Sequence, residues 1–93
     1  MKNQVYVGKV QMRNMLKGNE QMNEIIGVYD SPENFIKGMH RYCLDNDFYE
    51  DAETINNHFR AYVANIKEER EFIYEITNNI TIYIDILNMN INK

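Results

Sequence analysis

The sequence predicts an α+β fold, a small antiparallel sheet of about four strands with helices packed on one face, in the order ββααββ. Three observations lead there. Alternating polarity marks both ends of the chain, over residues 4–12 and 72–86. Between them Asp30-Ser31-Pro32-Glu33 reads as a helix start. Beyond it, apolar residues recur at helical spacing. A chain of 93 residues has room for one core, so residues 1–93 are expected to form a single domain.

The first strand runs from Gln4 to Met12, with Val5 and Val7 on one face, Tyr6, Val10 and Met12 on the other, and Gly8 between them. From Arg13 to Asn23 the alternation is lost and Gly18 intervenes, which predicts a long loop. Glu24-Ile25-Ile26-Gly27-Val28-Tyr29 is extended again. Ser31 or Asp30 then supplies a capping side chain, Pro32 suits the first helical position, and Glu33 suits the helix dipole. Phe35, Ile36, Met39, Tyr42 and Cys43 form one apolar stripe that packs on the sheet.

Ile55, Phe59, Tyr62, Val63 and Ile66 fit a second helix, although the stretch from Phe59 to Ile66 also tolerates a strand. Glu50, Asp51 and Glu53 at its beginning and Lys67 and Arg70 at its end favour the helix. Phe72, Tyr74 and Ile76 alternate with Ile73 and Glu75, Asn78-Asn79 suits a tight turn, and Ile80, Ile82, Ile84 and Ile86 alternate with Thr81, Tyr83 and Asp85, which together predict a hairpin. The asparagine-rich end from Asn88 to Lys93 is expected to fray.

Apolar residues make up 44% of the chain and charged residues 26%, a globular rather than a disordered composition. A single cysteine forms no internal disulfide, and six methionines favour a reducing compartment, so a cytoplasmic protein is expected. No apolar stretch predicts an export signal or a membrane span. Heavy use of Asn, Ile and Lys accords with AT-rich coding DNA and carries no functional information.

Catalytic and metal chemistry find no pattern to rest on. His40 and Cys43 are three apart on one helix, but two ligands make no transition-metal site and His58 lies elsewhere, so both read as packing residues. Cys43 sits on the apolar stripe, where burial raises a thiol pKa and removes the nucleophile. The glycines at positions 8, 18, 27 and 38 fit neither phosphate-binding pattern. The expectation is therefore no catalytic residue, no metal, no cofactor and no enzyme.

The most uneven feature is acidic. Asp45, Asp47, Glu50, Asp51 and Glu53 lie within nine residues that contain no Lys or Arg, interleaved with Phe48 and Tyr49. Such a run solvates a loop and complements a helix dipole; it also imitates a phosphate repeat that a basic groove would accept. Lys2, Lys9, Arg13 and Lys17 form a basic section that, with Tyr6 and Tyr29, suits single-stranded nucleic acid, but the net charge of −4 opposes that reading. Seven tyrosines are many, and Tyr62, Tyr74 and Tyr83 suit a ring on the core with the hydroxyl in water.

Val5-Tyr6-Val7-Gly8, together with Ile25-Ile26-Gly27-Val28-Tyr29-Asp30-Ser31-Pro32-Glu33, resembles small accessory proteins of phages and mobile elements in Gram-positive bacteria, over about the first half of the chain. Many proteins of that type inhibit host defence, anti-CRISPR and antirestriction proteins among them, and acidic surfaces recur in the group. The resemblance implies a non-enzymatic inhibitor acting in a host cytoplasm on a nuclease or other nucleic-acid-binding protein. The residues expected to bind that partner are Asp45, Asp47, Tyr49, Glu50, Asp51 and Glu53. The alternatives are a module that self-associates, as a homodimer, through the edge of the strand Ile80–Ile86, and a small nucleic-acid binder.

Overall fold

In the computed structural model, which describes residues 2–14, 20–77 and 79–90, the helix expected after Asp30 begins where local chemistry places it. Ser31 is extended and accepts a hydrogen bond from the Asn34 amide at 3.1 Å, capping α1 (Pro32–Asp45), while the Asn34 side chain donates to Asp30. The apolar stripe of α1 is buried: Phe35, Ile36, Met39 and Cys43 are all at most 1% exposed.

The helix stops in a Schellman turn. The Asp47 amide donates to the Leu44 carbonyl, the Phe48 amide to the Cys43 carbonyl, and Asp47 itself takes a left-handed φ of 66°. Phe48 then leans on the core and starts α2 (Tyr49–Asn57). The single helix expected over this region is two: at His58 the backbone leaves helical geometry (φ −110°, ψ 21°) and α3 (Phe59–Glu69) begins. Asn56-Asn57-His58 are three weak helix formers in a row, so the break falls where the helix costs most. The break lets Ala52 and Ile55 of α2 and Val63 and Ile66 of α3 all reach one core. The strand alternative for 59–66 is thereby excluded.

Four strands, β1 (Lys2–Asn14), β2 (Glu20–Tyr29), β3 (Ile73–Thr77) and β4 (Ile80–Asn90), make up the sheet of the described residues, antiparallel throughout in the order β2-β1-β4-β3. The α+β expectation holds, with three differences. Most of the stretch expected as a long loop is strand: β1 continues to Asn14 and β2 begins at Glu20, while Gly18 lies outside the described residues. The chain end expected to fray from Asn88 is paired through Asn90, opposite Lys2. The hairpin of β3 and β4 is present, and the Asn79 amide bonds to the Thr77 hydroxyl; Asn78, expected in its turn, lies outside the described residues.

Because β2 and β3 are the two edges, the chain between them must cross the sheet, a distance of about 14 Å at the usual strand spacing. The three helices make that crossing and cover one face. Tyr6, Val10, Ile82 and Ile84 point into this layer and join the core; the intervening residues point the other way.

Tyr29 locks the edge strand to α1. Its ring meets Phe35 edge-on, centroids 6.0 Å apart, and its hydroxyl occupies the space that the missing side chains of Gly27 and Gly38 leave. A Cβ on Gly38 would overlap that hydroxyl. We expect Gly38→Ala to lower stability by about 1–3 kcal/mol, because overpacking outweighs the gain in helix propensity of about 1 kcal/mol. In a Tyr29→Ala background the obstacle is gone, and thermal or urea unfolding should find the same substitution stabilising.

Candidate partner-binding site

The acidic residues gather at the α1–α2 corner, and the fold separates them into those spent internally and those left over. Asp45, on the last turn of α1, pairs with Arg41 one turn earlier, Nε to Oδ1 3.2 Å, a surface pair of small energetic weight. Asp51 turns inward: its carboxylate accepts the Tyr74 hydroxyl at 2.8 Å and so ties α2 to β3. Burial, reinforced by this bond, holds the Tyr74 phenol well above its ordinary pKa.

Asp47, Glu50 and Glu53 remain exposed and, among the described residues, pair with no Lys or Arg. Tyr49, 61% exposed, donates its hydroxyl to Asp47 at 2.7 Å, and this bond raises the phenol pKa. Glu50 and Glu53 are one helical turn apart on α2, where Cβ atoms lie about 5–6 Å from each other. The corner thus offers three carboxylates and a tyrosine ring, with Leu44 also exposed beside them. Its backbone is held by the Schellman turn, by Asn46 donating to the Tyr42 carbonyl, and by Thr54 donating to the Glu50 carbonyl. A cleft of about 480 Å³ between β2 and α1 opens next to it, lined by Glu24, Tyr29, Arg41, Tyr42 and Asp45 among others.

The remaining sequence candidates are distributed elsewhere. Cys43 is fully buried and burial pushes its thiol up to about 11, so it is protonated at neutral pH. Among the described residues no group of three or more His, Cys, Asp or Glu is arranged to hold a metal ion, and no helix is long and apolar enough to cross a membrane. Of the basic section, Lys9 is engaged with Asp85 at 2.7 Å, and that hydrogen bond raises its pKa; Lys17 lies outside the described residues. Tyr6 is buried beneath the helices and Tyr29 is wedged against α1, so the two tyrosines do not form the exposed stacking platform a nucleic-acid binder needs. Tyr62 and Tyr74 pack their rings on the core as expected, although the Tyr74 hydroxyl bonds to Asp51 rather than to water, whereas Tyr83, opposite Lys9 and Ile73, lies on the uncovered face of the sheet.

The strand Ile80–Ile86, expected as an edge, is interior over its first half, with β1 on one side and β3 on the other. Outside the sequence-based expectations is the uncovered face, where Ile25, Val28, Ile73 and Leu87 are each 48–70% exposed. The signal was present in β1, which carries apolar residues on both faces.

No family model, no curated protein and no solved structure matches this chain.

The division of the acids is testable by stability alone. Asp51→Ala removes the acceptor of a partly buried hydroxyl and should cost about 1–2 kcal/mol in urea unfolding. Asp47→Asn, Glu50→Gln and Glu53→Gln should each stay within about 0.5 kcal/mol.

Proposed function

We propose that the protein is a non-enzymatic inhibitor that works in a host cytoplasm by presenting its acidic corner to the basic groove of a nucleic-acid-handling protein, as an anti-defence protein of a phage or mobile element would. The observation that carries this reading is the set of exposed carboxylates of Asp47, Glu50 and Glu53, which have no cationic partner of their own.

Three negative charges held close together on a fixed backbone raise each other's free energy, and a lysine- or arginine-lined groove relieves that repulsion. Such a groove normally holds phosphates, and carboxylates of the same sign are attracted to the same cationic side chains. Asp47 adds a second argument. A left-handed turn position is held at least conformational cost by glycine, and here a charged side chain stands in its place. Tyr49 and Leu44 supply the apolar contact that charge alone lacks. Asp45 and Asp51 contribute less, since Asp45 is paired with Arg41 and Asp51 turns inward to Tyr74, whereas the Tyr49 hydroxyl that Asp47 accepts is itself exposed in the same corner.

The test is a pull-down with tagged protein from lysate of an AT-rich Gram-positive bacterium, with and without nuclease treatment. The expected result is a nuclease-resistant complex with a DNA- or RNA-handling protein that competing duplex DNA and added salt both weaken. Asp47→Asn/Glu50→Lys/Glu53→Lys, which keeps the turn geometry, should lose that protein by at least about tenfold. Undiminished capture by this variant would rule the corner out.

A further inference from the structure

The uncovered face of the sheet has its own chemistry, unrelated to the acidic corner. Opposing residues of an antiparallel pair share a face, so the register places Val28 beside Val7, Ile25 beside Lys9, Leu87 beside Val5, and Ile73 beside Tyr83 on the side away from the helices. The β-bulge at Gly8/Lys9 contributes to this arrangement. It shifts the phase of β2 so that Ile26 leans on the core while Ile25 turns outward.

Val7 is only 7% exposed and yet is not part of the contiguous core. It is the centre of a second apolar patch. Of the seven large apolar residues exposed among the described residues, Ile25, Val28 and Leu87 flank it, and Ile73 lies on the same face two strands away.

The charges of this face are few and largely cancel. Lys9 and Asp85 are paired at 2.7 Å, and the register also sets Glu75, on the short outer strand, and Arg13, of opposite sign, at the far end of this face. A strongly acidic or basic partner finds no counter-charge to hold. A copy of the same face does not need one, since each Lys9 enters the contact already neutralised, without an unpaired charge to desolvate. The area is also of the right order. The 39 residues of the four strands, each covering about 3.3 Å by 4.8 Å, make a flat footprint of roughly 600 Å² before side-chain relief is counted. A stable interface takes about 800 Å² of accessible surface per partner.

We propose that two copies of this chain stack sheet to sheet through the uncovered face, a two-fold β-sandwich with Val7, Val28, Ile25 and Leu87 at its centre and the helices outside. The two acidic corners then lie on the outer layers, both free. The proposal stands whether or not those corners bind an inhibited partner.

Sedimentation equilibrium on the full chain decides the matter, with circular dichroism to confirm that each variant is folded. The wild type should reach twice the 11.1 kDa chain mass. Val28→Glu on β2 and Leu87→Glu on β4 replace residues that are 60% and 48% exposed in the single chain, so folding tolerates them. Each should weaken the dimer by at least about 30-fold, whereas Leu44→Glu on α1 should leave it unchanged. A wild type that stays at chain mass to its solubility limit would overturn the proposal. So would a dimer that resists Leu87→Glu while yielding to Val28→Glu, which is the behaviour of pairing along the β2 edge, or a dimer that Leu44→Glu dissociates.

Discussion

The pairing of β1 with β4 is the constraint on which the rest of the structure depends. It joins the two ends of the sequence in the middle of the sheet, from Lys2 opposite Asn90 to Met12 opposite Ile80. Contacts so distant in sequence are entropically expensive to close and form only if the chain between them is accommodated at the same time. With β1 and β4 central, β2 and β3 are forced to opposite edges, and the segment between those edges must pass over the sheet. The helices are thus a crossing as much as a layer, and they cover one face because the chain crosses only once among the described residues.

That one-sided cover divides the alternation of every strand into two environments. On the inner side Phe35, Ile36, Met39, Ile55 and Ile66 meet Tyr6, Val10, Ile82 and Ile84, and Phe35 links Tyr29 to Phe72 through edge-on ring contacts. The helical layer is further tied by Lys67 reaching Glu33 and by Tyr74 reaching Asp51. On the outer side the same period leaves Val5, Val7, Ile25, Val28 and Leu87 without a covering layer in the single chain. The acidic corner belongs to the helical layer and the apolar patch to the other side of the sheet, so binding through one leaves the other accessible.

What could be read from the sequence was what local chemistry decides. Ser31-Pro32 starts a helix because the cap and the fixed φ of proline act within one turn, and the alternation of Ile80 to Ile86 specifies a strand because its period is two. Strand order was not readable, since whether Ile80–Ile86 is edge or centre depends on a partner some seventy residues away. The strand ends between Arg13 and Asn23 carry no strand signal because the polar residues there break the alternation on which strand recognition depends. Among the acids, no local signal separates Asp51 from Glu50 or Glu53. The difference is a hydrogen bond to a tyrosine 23 residues away.

Native-state amide hydrogen exchange is the most direct test of the closure of the chain ends on which both surfaces depend. The account predicts that the amides of Tyr6–Val10 and Ile82–Ile86 that bond across β1 and β4 are the slowest in the protein and exchange only with global unfolding. Faster exchange there than in the helices, or in the β1–β2 ladder alone, would mean that the ends open independently. It would contradict the central place given to this pair.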